Sequence, residues 1–164
     1  MTTTAEAYAK LKAPTPTPAT ELCACTKKPP IKLIVGPGFN PIRCVTCDRE
    51  VAPESLKLTP EQAEAVALWN GSAEGIYRLW LAAGEYQNWA ERQLVELGSP
   101  INVEGRSLAD DLNPVRRCYY SVLTGDEPLA QCPRCGGDVA AVDGASTPQA
   151  TCNDCSLIGP GAES

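Results

Sequence analysis

Cys132-Pro133-Arg134-Cys135-Gly136-Gly137, followed by Cys152-Asn153-Asp154-Cys155 with sixteen residues between Cys135 and Cys152, is the stretch from which the fold can be read. The pattern C-x2-C-x16-C-x2-C has the spacing of a four-cysteine zinc site. Two residues between thiolates let a tight turn aim both sulfurs at one metal while backbone N–H groups point at the sulfurs. Pro133 sets the turn, and Gly136 suits the left-handed conformation that follows it. Val139-Ala140-Ala141-Val142 and Ala150-Thr151 are short strands between the two knuckles. This is a zinc-ribbon pattern; a rubredoxin-like iron site uses similar knuckles, and a disulfide set is the other reading of the same cysteines.

Working outward, a second quartet lies upstream as Cys23-Ala24-Cys25 and Cys44-Val45-Thr46-Cys47, a C-x-C-x18-C-x2-C pattern. Asp48, just after the ordinary knuckle, tolerates a left-handed turn. The C-x-C pair is one residue short and must chelate with different geometry. A redox pair, or a site that borrows Cys118, competes with zinc there. Four thiolates leave no open coordination position, so the expected cofactors are two structural zinc ions. A ribbon of about 38 residues is too small to fold unaided. Structural zinc supplies the missing free energy, about 10–16 kcal/mol at neutral pH.

The rest of the composition agrees. Of 164 residues none is histidine, which removes Ser-His and Cys-His catalysis and histidine-ligated metals. Aromatic residues make up 5%, against 15 prolines and 13 glycines, so one large core is not expected. No apolar run approaches a membrane span. Met1 to Thr20 lacks the apolar core of a secretory signal, so a reducing cytoplasm is the expected location.

Between the modules the pattern becomes helical. Residues 1–20, with Pro14-Thr15-Pro16-Thr17-Pro18, read as a flexible tail. Residues 21–58 form the N-terminal ribbon, with Ile31–Val35 as a strand candidate. Thr59-Pro60-Glu61-Gln62 is a capping box that opens a helical region, 59–113. Gly71-Ser72 should end its first helix. Ile76, Leu79, Trp80 and Ala83 mark the apolar face of a second, and Tyr86, Ala90, Leu94 and Leu97 that of a third. Gly98-Ser99-Pro100 should stop the third, and Ser107–Asp110 open one further turn. Residues 114–158 combine a strand, with Cys118, Tyr120 and Val122 on one face, and the C-terminal ribbon. Residues 159–164 read as a short tail. The fold class is α+β, two small zinc ribbons flanking a short helical middle region.

Cys118 is flanked by Arg116 and Arg117, which favour a thiolate, but no histidine can serve as its base, and an apolar strand position reads as core. The helical-region carboxylates, Glu61 to Glu96, read as solvated faces. Trp80 and Trp89 fall on apolar faces and read as core rather than a base-stacking platform. The net charge is -6. Residues 59–112 carry nine acidic and three basic side chains, so phosphate contacts can come only from Lys27, Lys28, Lys32 and Arg43 in the first ribbon.

Tyr77-Arg78-Leu79-Trp80-Leu81, Gly84-Glu85-Tyr86, Trp89-Ala90, Gln93-Leu94, Ser99-Pro100-Ile101-Asn102, Arg117-Cys118-Tyr119-Tyr120 and Cys132-Pro133-Arg134-Cys135-Gly136 together resemble a family of uncharacterised bacterial proteins. That family is described as zinc-ribbon-containing and suggested to bind nucleic acid. The resemblance covers residues 76–157 and implies the cysteine knuckles as ligands. The reading of the residues favours a non-enzymatic binding or adaptor protein with a protein partner. Nucleic-acid binding through Lys27, Lys28, Lys32 and Arg43 is the alternative, and no membrane partner is expected.

Overall fold

The computed structural model describes residues 2–125 and 127–163. In chain order its elements are α1 (Thr4–Ala9), β1 (Ile31–Leu33), β2 (Ile42–Cys44), α2 (Pro53–Leu56), α3 (Pro60–Leu81), α4 (Gln87–Val95), α5 (Pro100–Leu112), β3 (Cys118–Ser121), β4 (Ala140–Ala141), β5 (Gln149–Cys152) and β6 (Leu157–Pro160). It is a mixed α+β fold.

Three of the helices, α1, α3 and α5, begin on a side-chain cap. Thr59 Oγ1 accepts from the Gln62 N–H and Gln62 Oε1 from the Thr59 N–H, with Pro60 at the first helical position of α3. The helix does not stop at Gly71 as expected. It runs through Gly71 and Gly75 to Leu81, although each interior glycine costs about 1 kcal/mol. Ala63, Val66, Trp69 and Ala73 on its opposite face are all fully buried, and that burial outweighs the two glycines. Ser99-Pro100 is likewise a start rather than a stop. Ser99 Oγ accepts from the Asn102 N–H and Pro100 is the first residue of α5, so Ser107 and Asp110 lie inside that helix.

The strands form one six-stranded sheet in the order β2-β1-β3-β6-β5-β4. β1 pairs with β3, and β3 with β6, in parallel; the other pairs are antiparallel. Strands of both cysteine modules therefore belong to a single sheet, which corrects the picture of two ribbons flanking a helical middle. The register Ile31↔Cys118 and Leu33↔Tyr120, with Tyr120↔Leu157, puts these apolar side chains on one face. That face packs on the helices, with the Trp69 and Tyr120 rings edge to face at 6.0 Å. Gly105 of α5 permits the approach: a Cβ there would lie 2.4 Å from the Tyr120 ring and 2.8 Å from that of Trp69. Asn102 is the polar hub of this core. Its side-chain amide donates to the Leu94 and Glu96 carbonyls, satisfying the end of α4, and its oxygen accepts from Tyr120 Oη at 2.6 Å.

One continuous core results, contrary to the expectation from composition. It includes the N-terminal segment read as a tail: Ala7, Tyr8 and Leu11 are buried against it, and Tyr8 Oη donates to the Leu58 carbonyl at 2.6 Å. At the other end, the 159–164 tail begins inside β6, and Gly161 N–H donates to the Pro148 carbonyl. Trp69 is the core tryptophan; Trp80 is half-buried, and Trp89, expected inside, is 43% exposed.

Candidate metal centres

The second quartet sits where the β5–β6 hairpin meets the loop after β3. Cys152 ends β5, and Cys155 follows it in the turn to β6. Cys132 and Cys135 occupy a second tight turn, in which Cys132 N–H donates to the Gly137 carbonyl and Gly136 N–H to the Cys132 carbonyl. Gly136 has φ +70 and Ser156, after the other knuckle, φ +52. Arg134 N–H donates to Cys132 Sγ and Gly137 N–H to Cys135 Sγ, both at 3.4 Å. The knuckle thus solvates its sulfurs with backbone dipoles, as a thiolate site requires.

The first quartet is built from β2 and its flanks. Cys44 ends β2, and the turn to Cys47 repeats the same two backbone bonds: Cys44 N–H to the Arg49 carbonyl and Asp48 N–H to the Cys44 carbonyl. Asp48 takes φ +58. The C-x-C arm is held differently. Leu22 bridges to Glu50, and Cys23 N–H donates to the Glu50 carbonyl at 2.7 Å, so the arm lies as an extended segment beside the knuckle loop. Burial raises the Cys23 thiol, and the neighbouring Cys25 N–H offsets part of that rise. The left-handed residue comes later, at Lys28, φ +48.

In each quartet the four sulfurs lie within 4.8 Å of one another. Cys135 Sγ and Cys152 Sγ are 3.8 Å apart. A tetrahedron with metal–sulfur bonds of about 2.3 Å has edges of about 3.8 Å, whereas a disulfide needs about 2.05 Å. All nine cysteines are unbridged. Donor number, spacing and the all-sulfur set fit one zinc per quartet; each would be closed, supplying folding free energy and no open coordination position.

Without a metal the thiols of each quartet diverge. Burial raises Cys44 to about 11 despite N–H donors from Cys47 and Thr46. Burial also acts on Cys132, but N–H groups of Cys135 and Arg134 and the neighbouring sulfurs outweigh it and bring that thiol to about 7.

Cys118 belongs to neither quartet, so the first site does not borrow it. It is fully buried in β3, where desolvation, offset in part by Arg117, pushes its thiol up to about 12. Of the basic group, Lys27 and Lys28 are exposed and Arg43 is half-buried. Lys32 is 8% exposed, and its Nζ donates to Gln149 Oε1 at 2.6 Å and pairs with Asp48 Oδ1 at 2.7 Å. Lys32 is therefore a link between the two modules and is withdrawn from any outside partner. Gln149 Nε2 continues the link to the Val45 carbonyl, and Ser146 N–H donates to the Thr46 carbonyl. Val45, Tyr119, Ile158 and Val142 form a small apolar cluster on that same outer face of the sheet. Alternation along β1 could have marked Lys32 as outward; nothing local could mark what covers it.

Among the described residues no helix is long and apolar enough to cross a membrane. Compared with known proteins, the chain matches no protein-family model, no curated protein and no solved structure.

Proposed function

We propose that this chain is a non-enzymatic binding or adaptor module, stabilised by two zinc ions and acting through protein–protein contacts in a reducing cytoplasm. The observation that carries the reading is the surface of the helical layer. Leu68, Leu81, Tyr86, Trp89 and Val95 are between 43% and 71% exposed there, on the most acidic stretch of the chain. Large apolar side chains exposed on one layer supply apolar area that a protein partner would cover. Closed four-thiolate sites suit a scaffold role, and the buried Cys118 offers no accessible thiolate.

Nucleic-acid binding is the competing reading, and what favours it is the exposure of Lys27 and Lys28 on the loop before β1. The zinc-loaded chain, immobilised and offered nuclease-treated cell extract, is expected to retain a defined protein. In parallel it should leave labelled duplex and single-stranded DNA unbound at physiological salt. Salt-sensitive micromolar DNA binding that disappears in Lys27→Glu/Lys28→Glu would reverse the ranking.

A further inference from the structure

We infer that the cleft between the second half of α3 and α4 is a docking pocket for a lysine or arginine side chain, presented by a basic segment of a partner protein. The inference rests on the adaptor reading and names its surface and the chemistry of its partner.

The cleft encloses about 300 Å³, the small end of ligand pockets and room for one long side chain. Tyr77 and Trp80 line it from α3, Glu91, Leu94 and Val95 from α4, and Leu123 from the segment after β3. The Tyr77 and Trp80 rings stand 5.6 Å apart with their planes at 60°, an open angle rather than a closed stack. Both rings are half-buried, so their outer surfaces remain available.

Among the described residues Glu91 is the only charged one lining the cleft. Among the described residues no basic group lies within ion-pair distance of it. Two aromatic rings and one uncompensated carboxylate over an aliphatic floor are complementary to a cation on an apolar stem. The rings attract the charge through their quadrupoles, the carboxylate pairs with it, and Leu94, Val95 and Leu123 cover the methylenes. A neutral apolar ligand would fill the same space but would desolvate Glu91 without a partner. An anionic ligand would meet both Glu91 and the surrounding layer, in which residues 59–112 carry nine acids against three bases. The same field draws a basic segment toward the cleft before contact.

The test is an NMR titration of the zinc-loaded full chain with Nα-acetyl-lysine amide, Nα-acetyl-arginine amide and the neutral Nα-acetyl-norleucine amide. Shifts are expected at Tyr77, the Trp80 indole, Glu91, Leu94 and Val95. The cationic amides should bind about three- to tenfold tighter than norleucine amide. Glu91→Gln, on the exposed side of α4, should shrink that preference while zinc content and the rest of the spectrum stay unchanged. Equal binding of lysine and norleucine amides by the wild type, or shifts away from the cleft, would overturn the inference. So would captured protein held as tightly by Glu91→Gln as by the wild type, an outcome that leaves the adaptor reading standing. Failure of all protein capture sinks the adaptor reading instead, while the amide titration still decides the pocket.

Discussion

The two cysteine modules offer a metal the same four thiolates from opposite surroundings. In the first, Cys44 is 1% exposed, its strand neighbour Ile42 is fully buried, and the C-x-C arm is pinned to Glu50 through the backbone. In the second, Cys132 is the sole buried residue from Ala130 to Thr147. A metal in the first module adds to a scaffold that the common core already holds. A metal in the second must organise the 130–147 segment, which buries little apolar surface of its own. Identical donor chemistry thus carries different structural weight, set by how much core each module shares.

The largest effect should come from removing metal. Elemental analysis of protein purified without added metal should give two zinc ions per chain, and Cys135→Ser should give one. In hydrogen exchange, Cys135→Ser should strip protection from residues 130–147 while β1 and β2 keep theirs. Structural zinc contributes about 10–16 kcal/mol in small domains, so that segment should be unable to close without it. Loss of protection in β1 before that segment would break the comparison.

The next effect tests the join between the modules. Lys32→Met keeps the stem but leaves Gln149 Oε1 without its donor and Asp48 without its ion-pair partner. A cost of about 2 kcal/mol is expected, with both zinc ions retained. Thermal unfolding should broaden or split as the second module uncouples from the first; a single sharp transition would show that the parallel β1–β3–β6 pairing alone transmits the coupling.

Cys118 sharpens the comparison by lying outside both quartets. Cys118→Ala should leave two zinc ions bound and cost about 1 kcal/mol at neutral pH. The folded thiol, raised to about 12 by burial, stands above its unfolded value of about 8.5. Its contribution is complete below the unfolded value and is lost as pH rises toward the folded one, at about 1.4 kcal/mol per pH unit. The wild-type advantage over Cys118→Ala should therefore shrink from about pH 8 and reverse a little above about pH 9. A pH-independent gap in denaturant unfolding, or loss of a zinc ion, would contradict the burial of this thiol.

The smallest effect is expected at the exposed loop of the first module. Lys27→Glu/Lys28→Glu should leave zinc content unchanged and move stability by less than about 0.5 kcal/mol in denaturant unfolding. A larger change would mean that this loop, like the 130–147 segment of the second module, depends on its own local contacts.

What the sequence determined by itself was local. The pairing of cysteines into knuckles, the left-handed residues Gly136 and Asp48, the capping box at Thr59 and the inward face of Cys118, Tyr120 and Val122 all follow from spacings of a few residues, because knuckle turns, caps and strand alternation are short-range geometry. Tertiary structure decided the rest. Whether Gly71 breaks a helix depended on the burial of Trp69 and Ala73 across from it. Whether Ser99-Pro100 stops one helix or starts the next depended on Asn102 closing α4 from within α5. The N-terminal segment became part of the core only because α3 and Leu58 offer Tyr8 a surface and an acceptor. Lys32 passed from surface charge to buried link only because parallel pairing of β1, β3 and β6 brings Gln149 and Asp48 to it. Parallel strands are joined through long stretches of intervening chain, so no nearby residue reports their pairing.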